Sequence, residues 1–446
     1  MKWHTLARTS LLTGLLFLPA FAQDHFIVRA SGASIWGVAS RHGLTVVRSF
    51  DGSGRDVHVV ASPWGSDSNR ILQGLKFDSA VQQVEHDDAV ALPETSPGPP
   101  LRQPGPDALA SVADRTLIGY YGTSAWTAYI NQPAATIIKV AEAHKYATGG
   151  GTVAFLDTGV DFAHPVIAHS LVSGYDFTRG IPGGSEMADV DQSTTAILDQ
   201  STTSILDKRS IMVLNQSTTA ILDQSTTAIL DRHRPPSAFG HGTMVAGLIH
   251  LVAPTARLMP VKVFQGDGTS SFSQIISGIY WAIDHGADVI NMSFSSTQSS
   301  QELMRAINIA NSQGVICVAS VGNDGKQIMV YPAGYHQVIG VASTNNRDVR
   351  SAFSNYGDGV VTVAAPGEGN ITLYPGKNYA EVWGTSFSAP LVAGGAALLV
   401  QLNYRINESQ AEHALSQAVP IGQGLGAGRL DLLQAVRFQG FTHGDH

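Results

Sequence analysis

"GTVAFLDTGVDFAHP", residues 151–165, decides the fold. It is a near-continuous apolar run that stops at an acid, Asp157, and passes at once into Thr158-Gly159, a turn signal. A strand with one wet face would alternate apolar and polar. A strand apolar throughout needs cover on both faces, the condition met in a parallel sheet. Runs of the same kind recur as "ARLMPVKVF" (256–264), "ADVINMSF" (287–294), "GVICVAS" (314–320), "QVIGVAS" (337–343) and "VVTVAAP" (360–366). Segments of helical period lie among them: "QPAATIIKVAEAHKYA" (132–147), "SQIISGIYWAIDHG" (273–286), "QELMRAINIANSQG" (301–314) and "SFSAPLVAGGAALLVQLN" (386–403). The expected fold is α/β: a parallel sheet with helices on both faces. Ligands of such sheets gather outside the carboxyl ends of the strands, which is where Asp157 stands.

Upstream of this alternation the chain reads differently. Residues 1–22 have the form of an export signal: Lys2 and Arg8, an apolar run too short to span a bilayer, and Ala20-Phe21-Ala22 before Gln23. No later stretch reads as membrane-spanning, because Gly, Ser or charge interrupts each long apolar segment. Residues 23–92 suggest a β-α-β-β-α-β order, a small α+β (split βαβ) domain. Its signals are a strand in "HFIVRA", a helix ending at Gly43, a hairpin around "DGSG", a helix capped by Ser or Asp near residue 67, and a last strand in "AVQQVEHDDAVAL". A linker, 93–117, follows; six prolines and two glycines between Leu92 and Asp107 keep it out of regular structure. Residues 118–446 hold the large α/β domain.

Composition narrows the function. The chain has 446 residues, 43% of them hydrophobic and 14% charged, with 46 glycines. That suits a glycine-rich enzyme core and not a disordered chain. A net charge of −8 without any Lys/Arg block argues against nucleic acid as a partner. The single cysteine, Cys317, permits no intramolecular disulfide and reads as a small core residue.

Four positions carry chemistry. Asp157 ends the first apolar strand. His241, in "FGHGTMVAGLIH", stands at a helix start between Gly240 and Gly242. Asn323, in "SVGNDG", follows another strand and could donate to an oxyanion. Ser386, in "WGTSFSAPL", begins a helix of small residues, where backbone N–H groups and the helix dipole favour an anionic oxygen. Each has an ordinary structural reading as a turn or cap residue. Taken together, "DTG", "GHGT", "VGNDG" and "GTSFSAP" in this order resemble the subtilisin-like serine proteases, over about residue 118 to the C-terminus.

The resemblance implies a serine endopeptidase with the triad Asp157, His241 and Ser386, an oxyanion hole from the Ser386 N–H and Asn323, and an acyl-enzyme route. It implies that 23–92 is a propeptide, an inhibitor made in line with the enzyme and cleaved off near the linker. It also places a substrate cleft between Ser293, Phe294 and Ser295 on one side and Gly268 and Ser270, in "GDGTSS", on the other. Ser295 and Ser296 stand where many relatives have glycine, which narrows the primary pocket or gives it a hydroxyl. The usual calcium site of the family is expected to be absent. "LIHLVAPTAR" leaves no room for its loop, and Val166 occupies the position of its second Asp; a weaker site elsewhere stays open. No other cofactor or metal is implied. The expected partners are protein or peptide substrates and the chain's own propeptide, with no nucleic acid and no membrane after signal cleavage. The protein is expected as a monomer, secreted or periplasmic. Two readings compete: a catalytically silent subtilisin-like scaffold, against which the intact triad and Asn323 argue, and an esterase of another α/β fold, against which the triad order argues.

An insert lies between Asp157 and His241. Five octads run through 191–230: "DQSTTAIL", "DQSTTSIL", "DKRSIMVL", "NQSTTAIL" and "DQSTTAIL". A helix is a poor reading, since eight residues overshoot two turns by about 80° and leave no constant apolar face. Short β segments joined by Asp-Gln-Ser turns, a surface loop and a sparse ladder of acids are the readings left open.

Overall fold

The computed structural model describes residues 23–50, 55–93, 114–190, 212–214 and 236–443. The expected signal sequence, the "DGSG" turn, most of the proline-rich linker and the octads apart from Met212–Leu214 lie outside the described residues. The chain divides into two compact units, Met1–Asp87 and Asp88–His446.

In the first unit the order is β1 (His25–Arg29), α1 (Ile35–His42), β2 (Thr45–Phe50), β3 (Val57–Ala61), α2 (Ser68–Lys76) and β4 (Gln83–His86). The strands form one antiparallel sheet in the order β2-β3-β1-β4. Gly43 closes α1 at φ 66 with its N–H on the carbonyls of Ala39 and Ser40, and the Asp67 carboxylate caps α2 by accepting from the Arg70 N–H. Phe26, Val28, Ile35, Val38, Val60 and Leu75 make this unit's core.

The second unit opens with β5 (Ala89–Ala91), then β6 (Leu117–Tyr120), β7 (Thr123–Trp126) and three short helices, α3 (Thr127–Ile130), α4 (Pro133–Ile137) and α5 (Val140–Ala143). The run "AVQQVEHDDAVAL", expected as one strand, is therefore two, β4 and β5, and β5 pairs antiparallel with residues Thr269–Ser271 instead. The helix expected over 132–147 is likewise broken, at Lys139 with φ 60. The Ile137 carbonyl accepts from Arg429 and the Ile138 carbonyl from the Leu432 N–H, so the C-terminal segment takes the acceptors a continuing helix would use.

The remaining elements are β8 (Thr152–Asp157), β9 (Tyr175–Asp176), β10 (Ile181–Pro182), β11 (Met212–Leu214), α6 (His241–Val252), β12 (Arg257–Lys262), β13 (Thr269–Ser271), α7 (Phe272–Asp284), β14 (Val289–Met292), α8 (Gln301–Ser312), β15 (Ile316–Ser320), β16 (Ile339–Thr344), β17 (Val363–Pro366), β18 (Glu368–Tyr374), β19 (Asn378–Trp383), α9 (Ala389–Leu402), α10 (Glu408–Leu415) and α11 (Leu432–His443). The main sheet runs β10-β9-β12-β8-β14-β15-β16-β17, parallel from β9 to β17. In "LVSGYDF" (171–177) only Tyr175–Asp176 is a strand, with a bridge from Leu171 to Leu258. β18 and β19 form a hairpin, and the backbone of Met212–Leu214, in the third octad, pairs in parallel with β19.

Two helices, α6 and α9, are buried almost along their whole length. A Cβ on Gly394 would fall 2.7 Å from Val252 Cβ, so glycine sets how closely they approach. Among the described residues one stretch, Thr385–Leu402, is long and apolar enough to cross a membrane, but it is 89% buried in the molecule, as a core helix is. Cys317 lies in β15 with no exposed surface, and burial pushes its thiol pKa up.

Candidate active site

Asp157 is the last residue of β8 and is fully buried. Its Oδ1 accepts from the Thr158 N–H at 2.7 Å and lies 2.7 Å from Nδ1 of His241. With a carboxylate against Nδ1, a neutral ring carries its hydrogen there and keeps Nε2 as the basic nitrogen. His241 is the first residue of α6, behind Gly240 at φ 90. A Cβ at Gly242 would come 1.9 Å from the Gly159 carbonyl oxygen. The turn after the acid and the first turn of the histidine helix thus touch backbone to backbone, and glycine is required there.

Ser386 sits in the 3₁₀ turn Thr385–Phe387, ahead of α9 and not inside its first turn as the sequence suggested. The cause is Pro390: a helix extended back to Ser386 would set the proline ring against the Ser386 carbonyl. The Ser386 hydroxyl donates to the Ser293 carbonyl at 3.1 Å, and the Ser293 hydroxyl donates to the Ser386 carbonyl at 2.9 Å. Phe387, next in sequence, has its ring centroid 5.3 Å from that of His241. The nearest competing hydroxyl, Ser388, donates to the Ala365 carbonyl of β17, 3.0 Å away.

Asn323 follows β15. Its Oδ1 accepts from the Thr385 N–H at 3.0 Å and the Thr385 hydroxyl at 2.9 Å, so its NH₂ is oriented to the other side. Among the described residues no group of three or more His, Cys, Asp or Glu is arranged to hold a metal ion.

These positions can be set beside known proteins. The family model described as the subtilase family matches residues 148–436. The chain belongs to the subtilase family. Thermitase of Thermoactinomyces vulgaris is 31% identical over 314 residues, which cover 68% of this chain and 94% of thermitase. Subtilisin BL of Lederbergia lenta is 42% identical over 173 residues, 37% of this chain and 64% of that protein. Among solved structures, fervidolysin from Fervidobacterium pennivorans, a keratinolytic enzyme related to subtilisin, superposes with a TM-score of 0.68. At 22% identity, covering 94% of this chain and 61% of that one, it speaks for the fold alone. The subtilase is a subtilisin-like serine endopeptidase.

In the subtilase the expected cleft residues behave unequally. Ser293, Phe294 and Ser295 follow β14, yet the Phe294 side chain is 1% exposed and packs on Phe264 at 5.3 Å between centroids. Its ring is core, and only its main chain can meet a substrate. A Cβ at Gly322, φ 85, would lie 2.7 Å from the Ser295 hydroxyl, so that serine stands close to the loop carrying Asn323. β13, which holds Ser270, pairs with β5 in the register Thr269 to Ala91, Ser270 to Val90 and Ser271 to Ala89, and the Gly268 carbonyl accepts from the Leu92 N–H at 2.9 Å. Ser270 turns its hydroxyl inward to the Val263 carbonyl, 2.7 Å away. Sequence reading missed Thr158, Thr243 and Glu186. The first two sit in the "DTG" and "GHGT" motifs and could have been noticed; "GGSEMADV" around Glu186 carries no signal.

Proposed function

We propose that Asp157, His241 and Ser386 are the catalytic triad of this subtilase. The observation that carries the reading is the 2.7 Å contact of His241 Nδ1 with the buried Asp157, at the helix start beside the Ser386 turn. On substrate binding the Ser386 hydroxyl swings from the Ser293 carbonyl to Nε2 of His241. Oγ attacks the peptide carbonyl carbon while His241 takes its proton, and the tetrahedral oxyanion receives hydrogen bonds from the Ser386 N–H and the Asn323 NH₂. Collapse breaks the C–N bond; the proton on His241 goes to the leaving amine, and an ester on Ser386 remains. Water, deprotonated by His241, then cleaves the ester and returns the proton to Ser386. Asp157 keeps the ring oriented and stabilises its cationic form. A fluorophosphonate probe should label the protein and fail on Ser386→Ala. Absence of labelling on the matured protein sinks the triad and leaves the silent-scaffold reading. Casein cleaved in preference to short esters separates protease from esterase.

The substrate's main chain is proposed to bind as a strand between Gly268–Ser270 and Ser293–Ser295. What supports this, and also a self-inhibited proenzyme, is that the chain's own β5 already lies on β13. Residues 23–92 are thus proposed as a propeptide that blocks the cleft until cut, after export directed by residues 1–22. N-terminal sequencing of the secreted protein tests both cleavages.

The family's usual calcium site is proposed to be missing. Val166 is packed in the core, and α6 passes to β12 through Ala253–Ala256 alone. A chelator should leave the melting temperature unchanged; a fall would place a calcium site elsewhere. The mature enzyme is proposed as a monomer acting on proteins or peptides, without nucleic acid or membrane partners.

A further inference from the structure

Immediately ahead of the octads lies the 3₁₀ turn Glu186–Asp189. Its approach is laid against the turn that follows Asp157. The Val160 N–H donates to the Gly184 carbonyl at 2.9 Å, and the Glu186 N–H to the Val160 carbonyl at 3.3 Å. A Cβ at Gly159 would come 2.4 Å from the Gly184 carbonyl oxygen. This delivers Glu186, a carboxyl side chain with no exposed surface, to the back of the Asp157–His241 pair.

Among the described residues, each hydrogen bond of that carboxyl goes to a segment holding one member of the pair. Oε2 accepts from the Gly240 N–H at 3.0 Å, the residue before His241, and from the Thr158 hydroxyl at 3.2 Å, the residue after Asp157. Oε1 accepts from the Thr243 hydroxyl in the first turn of α6. The two threonines extend the tie. Thr158 Oγ1 accepts from the Gly242 N–H at 3.0 Å, and Thr243 Oγ1 accepts from the Asp161 N–H at 2.8 Å. The first N–H groups of a helix have no intrahelical acceptor, so a buried helix start needs an outside oxygen; Glu186 supplies one for the helix of His241.

We propose that Glu186 is a positioning residue for catalysis, a buried carboxyl that clamps the His241 helix start to the Asp157 turn and adds its charge to the field acting on the imidazole. The proposal rests on the triad reading given above. The charged and titratable groups acting on this carboxyl are Asp157 on β8, Lys262 on β12 and Tyr374 on β18; Asp189, on its own turn, is bonded to Lys262, and Asp161 and His241 stand on the segments that its hydrogen bonds tie together. Lys262 is the one fixed cation among them. It is fully buried, with Nζ on the Thr158 and Phe264 carbonyls and on Asp189. Burial pushes the Glu186 carboxyl up to about 7; the Asp157 charge adds to the rise, and the Thr243 bond and Lys262 oppose it. The carboxyl therefore ionises where a serine peptidase gains activity with pH. A negative charge at that place favours the imidazolium form, which cannot take the Ser386 proton.

The test uses the matured protein, with active sites counted by fluorophosphonate titration and activity read on a small chromogenic peptide. Glu186→Ala should lower kcat per titrated site by about 10- to 100-fold while KM moves less than about threefold. Glu186→Gln can accept from Gly240 and Thr158 through its oxygen and donate to Thr243 through its nitrogen, so it should recover kcat to within about fivefold. Its acid limb in kcat/KM should lie at lower pH than the parent's and follow a single proton, where the parent's limb is broader. An unmoved limb in Glu186→Gln overturns the proposal even if Glu186→Ala yields no folded protein. So does an alanine variant whose kcat per site equals the parent's. Failure of the parent itself to label is a separate outcome; it overturns the triad reading and this proposal with it.

Discussion

Asn323 has one oxygen and one nitrogen with opposite duties. The oxygen is held by Thr385, so the nitrogen's direction is set by a neighbour of Ser386. Asn323→Ala should therefore cut kcat by about 100- to 1000-fold with KM little changed, measured on a peptide anilide. Thr385→Val, which removes the hydroxyl donor but keeps the N–H, should cost about tenfold or less. Gly242→Ala should yield no active enzyme, since its Cβ would meet a carbonyl oxygen at 1.9 Å. At this scale the sequence was legible wherever residue type and local turn coincide: Asp157 after an apolar strand, His241 between glycines, Asn323 before Asp-Gly. Glu186 was not legible, because its partners, Thr158, Gly240 and Thr243, are distant in the chain and only the folded turn brings them to it.

Among elements, strands read well and interruptions read poorly. The six apolar runs became β8, β12, β14, β15, β16 and β17 because burial on both faces writes itself as an unbroken apolar string. The α4–α5 break did not show, since helical period continues through it; the competing acceptors on Ile137 and Ile138 come from Arg429 and Leu432. The β18–β19 hairpin was overlooked although Tyr374-Pro375-Gly376-Lys377 is a turn sequence, and Gly376 and Lys377 do take φ of 76 and 64. The β5–β13 pair carries a prediction. Leu92→Pro removes the N–H that donates to Gly268. If that strand blocks the cleft, activity in the full chain should appear with a lag shortened by about threefold or more. An unchanged lag would mean that β5 contributes nothing to inhibition.

Among the described residues several buried carboxyls oppose folding when they ionise, Glu368 among them and three more strongly. Burial pushes Glu186, Glu381 and Glu408 up to about 7 from an ordinary value of 4.5. Folded values above the unfolded ones mean that this stability is fully present below about 4.5 and is lost as pH rises through about 7. The melting temperature of Ser386→Ala, which cannot digest itself, should fall between pH 5 and 8 (~3 pH units). Glu381 is 1% exposed, and among the described residues neither of its carboxyl oxygens has a hydrogen-bond partner. Glu381→Gln should flatten the fall and stabilise the protein at pH 8 by on the order of 1–3 kcal/mol. The insert gives a second prediction at this scale. Removing residues 191–230 should leave turnover of a small peptide within about twofold while altering the rate on proteins. Collapse of small-peptide turnover would show that the octads support the site itself.

Cys317 is the chain's only thiol, and β15 holds it between β14 and β16. The thiolate is the form that attacks thiol reagents, and a thiol both enclosed and raised in pKa yields none until those strands part. The protein therefore contains its own clock. Under conditions where reclosing is slow, the rate at which a maleimide or disulfide dye reports this one atom is the rate at which the central sheet opens. A peptidase destroys copies of itself through the same opening. Its lifetime in solution at high dilution of dye and the silence of that sulfur should end together.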